Sequence, residues 1–290
     1  GIKNVYVAML YGGLSLKKGL FLVELPVQCF TFGCFTFWTF VCVCVCVCVC
    51  APGPAESLRR VFSWLGFQVE VVRDATRDQM LSSMRELASR DHSWMDCVAC
   101  VVLSHGLEGG VYGVDGGVVR LKELTDVLNG VRCASLRGKP KLFFIQACQG
   151  NKREQASPSC TGDPCSDAVE EWIPTSADFL TAMATTPSYR SMRVEDRGSW
   201  FIHSLCQNLV KLVPRGQDLA RILTTVHNDV GNKSNRIGGR RQMPQHHTSL
   251  RTRLVFPVPE GPLPSPYKLR DQGTGMVLKG YKCLVPPVVP

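Results

Sequence analysis

Two side chains in this sequence could do chemistry together. One is His105, in Ser104-His105-Gly106, and the other is Cys148, in Gln146-Ala147-Cys148-Gln149-Gly150. A thiol attacks carbonyls only as the thiolate, and at neutral pH it needs a base or a cation beside it. An imidazole can take that proton and later give it to a leaving amine. The pair therefore points to acyl transfer through a covalent thioester. Gly106 suits an oxyanion role, because without a side chain its N–H and that of Cys148 can both approach a developing negative oxygen. Taken singly, a histidine after a strand is ordinarily a surface residue, and a cysteine is ordinarily core packing.

Both stations end apolar runs. Cys97–Leu103 and Lys141–Ala147 are continuous apolar stretches, the pattern of buried parallel strands. In open α/β sheets, sites form beyond the carboxyl ends of strands. Two parallel neighbours would bring His105 and Cys148 to one rim. The remaining pattern is also α/β. Helices are predicted over Glu56–Leu65, from Thr76-Arg77-Asp78-Gln79 (a capping-box pattern) onward, and over Leu121–Leu128, Phe201–Leu212 and Asp218–Val230. Strands are predicted over Phe67–Val72, Phe179–Ala184 and Leu250–Phe256, with a hairpin at Asp115-Gly116-Gly117. Strands alternating with helices imply a mostly parallel sheet with helices on both faces, a three-layer sandwich.

The chain has 290 residues and a net charge of +9, with basic ends. It has no Lys/Arg cluster interleaved with aromatics, so nucleic acid is not an expected partner. Its 15 cysteines do not read as a disulfide scaffold. Those in the middle of the chain sit in apolar runs, the usage of a reduced cytosolic protein, so a cytoplasmic location is expected. Cys97-x-x-Cys100 is no metal motif on a strand, because residues three apart face opposite ways. His246-His247 falls in an exposed-looking turn and is assigned no role. No metal or other cofactor is expected.

Residues 1–52 differ in texture. Valine and cysteine alternate over Val41–Cys50, and their codons can be read from a simple GT repeat. Translated non-coding sequence is the leading expectation for this segment. A signal anchor over the uncharged residues 25–50 and a strand are the alternatives. The chain begins without methionine and is expected to be a fragment. Expected divisions are an aberrant segment 1–52, a first catalytic region 53–150, a polar linker 151–171, a second region 172–260 and a Pro/Gly-rich tail 261–290.

Several stretches together resemble the caspase family of cysteine peptidases. They are Leu103-Ser104-His105-Gly106, Val111-Tyr112-Gly113-Val114-Asp115-Gly116, Lys139 through Gly150 with its Gln-Ala-Cys-Gln-Gly signature, Ala177-Asp178-Phe179-Leu180, Gly198-Ser199-Trp200-Phe201-Ile202 and Arg241-Gln242-Met243-Pro244-Gln245. Ser204-Leu205-Cys206-Gln207 and Leu254-Val255-Phe256-Pro257 are most similar to the death-receptor initiator branch, the caspase-8 and caspase-10 type. The resemblance runs from about residue 53 to 260.

The resemblance implies an endopeptidase that cuts protein substrates after aspartate and takes part in apoptosis. It implies His105 and Cys148 as the catalytic pair, with Gly106 and Cys148 amides as oxyanion donors. It implies a pocket for the aspartate made by Gln146 and Arg193, the latter in Ser191-Met192-Arg193, with Ser191 also in substrate binding and outer subsites lined by Trp200. Met192 replaces an aromatic residue there. A second pocket arginine belongs in a loop between the family's first strand and first helix, and here that stretch is Val-Cys repeat and Ala51-Pro52-Gly53-Pro54. That strand is therefore missing or replaced, with Val41–Cys50 as a candidate for its slot. Losing one partner of a buried ion pair costs about 3–5 kcal/mol, roughly 10²–10³ or more in rate. Maturation cuts are implied at Asp167 or Asp163, the latter hindered by Pro164. Dimers with itself or another caspase are implied, and no membrane partner. The alternative is a catalytically impaired regulator that binds other caspases.

Overall fold

The computed structural model describes Val5–Met9, Val41–Cys48 and residues 52–150, 177–191, 193–194, 198–233 and 241–264. The expected linker with Asp163 and Asp167, Met192, and the tail from 265 onward lie outside the described residues.

The main sheet joins seven strands. In chain order they are β1 (Val5–Met9), β2 (Val41–Cys48), β3 (Phe67–Arg73), β4 (Cys97–Leu103), then, after a small sheet of β5 (Gly106–Leu107), β6 (Gly110–Tyr112) and β7 (Val118–Arg120), β8 (Lys141–Gln146) and β9 (Phe179–Met183). A two-residue pair follows, β10 (Arg193–Val194) with β11 (Gly198–Ser199), and then β12 (Gln245–Thr248). The order across the main sheet is β12-β9-β8-β4-β2-β1-β3. β2, β4, β8 and β9 are consecutive parallel neighbours, while β12 and β1 pair antiparallel. The parallel centre accords with the apolar runs of β4 and β8, which are buried along their whole length.

Alternation along β4 explains the two cores. Cys97, Ala99, Val101 and Leu103 join the cluster under α1 (Pro52–Trp64), α4 (Trp200–Leu212) and α5 (Leu219–Gly231). Val98, Cys100 and Val102 join the cluster under α2 (Arg77–Ser89) and α3 (Leu121–Val127). Cys97 and Cys100 thus fall in opposite cores, and no metal-holding cluster of three or more His, Cys, Asp or Glu occurs among the described residues.

Local signals act where they are written. The Thr76 hydroxyl accepts from Gln79 N at 3.2 Å and the Gln79 side chain accepts from Thr76 N at 2.9 Å, so the capping box starts α2. Asp218 accepts from Arg221 N at 2.9 Å to start α5. Gly66, at φ +90°, turns the chain out of α1.

Val41–Cys48 is a strand inside the sheet, between β4 and β1, so the candidate for the first-strand slot occupies it. Val5–Met9 is β1 and bridges β2 to β3. Two expectations change. Leu250–Phe256 is not a strand. Its Leu254 and Phe256 are buried against the α1/α4/α5 core, Phe256 lying 5.8 Å from the Phe67 ring, and the alternation records that packing rather than pairing. The last strand is instead the polar β12, and His246-His247 lies on it, not in a turn. No helix among the described residues is long and apolar enough to cross a membrane.

Candidate active site

Register decides where the chemistry gathers. β4 and β8 pair in parallel with Leu103 opposite Gln146, and Ser104 N donates to Gln146 O at 3.0 Å. His105 and Cys148 each lie two residues past that matched pair, so they leave the sheet at one rim. The backbone after β4 is caught by the small sheet. Tyr112 N donates to His105 O at 2.9 Å, and the Ser104 hydroxyl donates to Tyr112 O at 2.6 Å. Those bonds fix the histidine's backbone and leave its ring exposed.

Gly106 is pressed against the thiol's own backbone. A Cβ there would meet Cys148 O at 2.6 Å, the Ala147 Cβ at 2.8 Å and Gly110 O at 2.8 Å. Only glycine fits without a shift. This close approach sets the Gly106 and Cys148 peptides side by side.

A third segment closes the site. Gln149 N donates to Tyr189 O at 2.8 Å and Ser188 N donates to Gln149 O at 2.7 Å. Gly109 N donates to Gln149 Oε1 at 3.2 Å, and Ser188 Oγ donates to Glu108 Oε2 at 3.1 Å. The chain after Cys148, the loop after β5 and residues 185–191 are thereby tied together. Ser191 follows from that knot, and its Oγ sits 3.6 Å from Cys148 Sγ. The resemblance had assigned Ser191 to substrate binding, and its hydroxyl meets the thiol directly.

Of the expected pocket residues, Gln146 and the backbone of Arg193 both connect to Ser199. Gln146 ends β8 and is buried, and its Oε1 accepts from the Ser199 hydroxyl. Its Nε2 finds no hydrogen-bond partner among the described residues. Ser199 caps α4, accepting from Ile202 N at 3.3 Å, and lies opposite Arg193 in the β10–β11 pair. The Arg193 backbone is therefore opposite the residue that holds Gln146. Ser199 was missed as a site residue, although a serine just before a helical run is an N-cap signal that could have flagged it. Gln149 was missed too. It is buried, and its Nε2 likewise lacks a partner among the described residues. Trp200, the first residue of α4, is 7% exposed and belongs to the α1/α4/α5 core.

The second arginine that the resemblance implies does not occur in the stretch between β2 and α1. β2 runs parallel to β4 with Val47 opposite Leu103, so it ends at the catalytic rim. The connection to α1 is residues 49–51, Val-Cys-Ala, and the first arginine in the chain is Arg59. Arg59 and Arg60 both bond the Glu56 carboxylate, at 2.7–2.9 Å, on α1. The Arg59 guanidinium, above all, holds the Glu56 carboxyl below its usual range, so that carboxylate stays ionised and paired.

Comparison with known proteins accords with this geometry. The Caspase domain family matches residues 53–255. Caspase-8 of Rattus norvegicus is 43% identical over 211 residues, covering 70% of this chain and 44% of that protein. Caspase-8 of Mus musculus is 40% identical over 210 residues, with the same coverage. Caspase-9 of Homo sapiens is 35% identical over 231 residues, covering 69% of this chain and 54% of that protein. The chain thus spans under half the length of the caspase-8 relatives it matches. With the histidine and cysteine stations at one rim of an α/β sheet and the domain matched over most of its length, this chain belongs to the caspase family and is similar to its caspase-8 type.

Proposed function

We propose that this chain is a cysteine endopeptidase that cuts protein substrates after aspartate, in an apoptotic initiator role. The observation that carries the reading is the β4/β8 register, which sends His105 and Cys148 out at one rim. His105 takes the Cys148 proton, and the thiolate sulfur bonds to the aspartyl carbonyl carbon. Gly106 N–H and Cys148 N–H donate to the resulting oxyanion. The C–N bond breaks, and the amine leaves with the proton from His105. Water, deprotonated by the same imidazole, then releases the aspartate as a carboxylic acid and restores the thiol.

Selectivity for aspartate rests on Gln146 and Arg193. A buried amide N–H without an acceptor costs about 1–3 kcal/mol. Among the described residues the Gln146 Nε2 is such a donor, and a substrate carboxylate would satisfy it. A guanidinium adds charge and a two-pronged geometry. Maturation by cleavage after Asp167, with Asp163 as the hindered second choice, belongs to the same reading, as does a cytoplasmic location. β12 pairs only with β9 among the described residues, so its outer edge is open for a second caspase chain.

The second reading is a caspase-like regulator of low intrinsic activity. It is favoured by the absence of any arginine before Arg59. One experiment separates the two. The full chain, with Cys148→Ala as control, is assayed on a reporter peptide ending in aspartate and with an aspartyl electrophile. Cleavage that the control lacks, with labelling at Cys148, supports the protease. A folded protein inert to both refutes it and leaves the regulator.

A further inference from the structure

Away from the catalytic rim, two histidines meet. His227 Nε2 lies 3.4 Å from His246 Nδ1, with ring centroids 5.0 Å apart and ring planes tilted by 42°. They come from different elements, α5 and β12. The register explains the meeting. His246 pairs with Ala182, whose side chain belongs to the α1/α4/α5 core, so the His246 side chain stands on the α5 face of the sheet. The next residue, His247, pairs with Thr181 and stands on the other face. On α5, His227 flanks the buried Leu223, Val226 and Val230 and is itself only half-buried.

We propose that His227 and His246 form a two-histidine site for a zinc-class divalent cation, clamping the edge strand β12 to α5.

The separation suits that cation. Two imidazole nitrogens each about 2.0–2.1 Å from a tetrahedral zinc lie roughly 3.3–3.4 Å apart. The nitrogens are already at that spacing, on a helix and a paired strand, so little ordering remains to be done on binding. The tautomers are available: His227 keeps its proton on Nδ1 and His246 on Nε2, which leaves the two facing nitrogens as donors. No third His, Cys, Asp or Glu joins them, so among the described residues the site is open. Such an open site binds more weakly than a closed structural one and responds to the cation's concentration. A cation bound only by the folded state stabilises it. Here the stabilised part is the edge strand, which the sheet otherwise holds from one side.

The ordinary alternative is a hydrogen bond between the two rings and nothing more. Histidine ¹⁵N NMR distinguishes them, because thiols elsewhere in the chain are silent in it. The full chain carrying Cys148→Ala, which removes the site thiol as a competing ligand, is titrated with zinc chloride. The facing nitrogens of His227 and His246 should shift together with one midpoint. His246→Asn should weaken the His227 response at least tenfold, and His227→Asn should do the same to His246. His247→Ala should leave both responses unchanged. Circular dichroism checks that each variant is folded. If neither resonance responds up to millimolar zinc, or if His246→Asn leaves the His227 response intact, the site does not exist. None of these outcomes depends on the protein's being a protease.

Discussion

Gly106→Ala is the sharpest perturbation of the catalytic rim. The new methyl would stand 2.6 Å from Cys148 O and 2.8 Å from both Gly110 O and the Ala147 Cβ, where ordinary contact begins at 3.4 Å. The worst shortfall is thus roughly 0.8 Å. None of the three obstacles is the far end of a flexible side chain, so the strand ends themselves must part. Overpacking of this kind costs about 1–3 kcal/mol of stability. Parting the strands also moves the Gly106 peptide away from the Cys148 peptide. A misplacement of about 1 Å costs roughly 10² in rate, so kcat/KM on an aspartate reporter should fall about a hundredfold, with most of the loss in kcat. Urea unfolding measures the stability arm without any need for activity. A variant with an unchanged urea midpoint and kcat/KM within twofold of the parent would refute the close-approach argument.

Other consequences can be measured. Ser199→Ala removes the donor to buried Gln146 Oε1 and the cap of α4. The unpaired acceptor costs about 1–3 kcal/mol and the lost cap about 1 kcal/mol, so thermal melting should drop clearly while Ser199→Thr recovers part of the loss. Arg193→Lys exchanges a planar fork for a point charge, and kcat/KM for aspartate peptides should fall about tenfold or more, carried by KM. The third concerns pH. Burial, reinforced by the neighbouring His246, pushes the His227 imidazole down to about 4. The unfolded chain therefore takes that proton first, and His227 should cost stability as the pH falls from about 6.5 towards 4. Melting curves in a chelating buffer should show a shallower acid loss for His227→Asn than for the parent, and identical slopes would contradict the assignment.

What the sequence determined by itself is local. The capping box at Thr76, the cap at Asp218, the turn at Asp115-Gly116-Gly117 and the buried runs of β4 and β8 act through neighbours a few residues away, so each could be read from its own stretch. The motifs that hold His105, Cys148, Gln146 and Arg193 were equally readable, because each is contiguous. Only tertiary structure decided the rest. The Val-Cys repeat, read first as translated non-coding sequence with a signal anchor and a strand as alternatives, is placed as a strand by its pairing with β4 and β1. The same holds for β1 and for polar β12, whose apolar signal is too weak to stand alone, and for Leu254 and Phe256, buried without pairing. The contacts of Gln146 with Ser199, Cys148 with Ser191 and His227 with His246 join residues 53, 43 and 19 positions apart. Such contacts depend on strand register, and register is a property of two segments that neither carries alone.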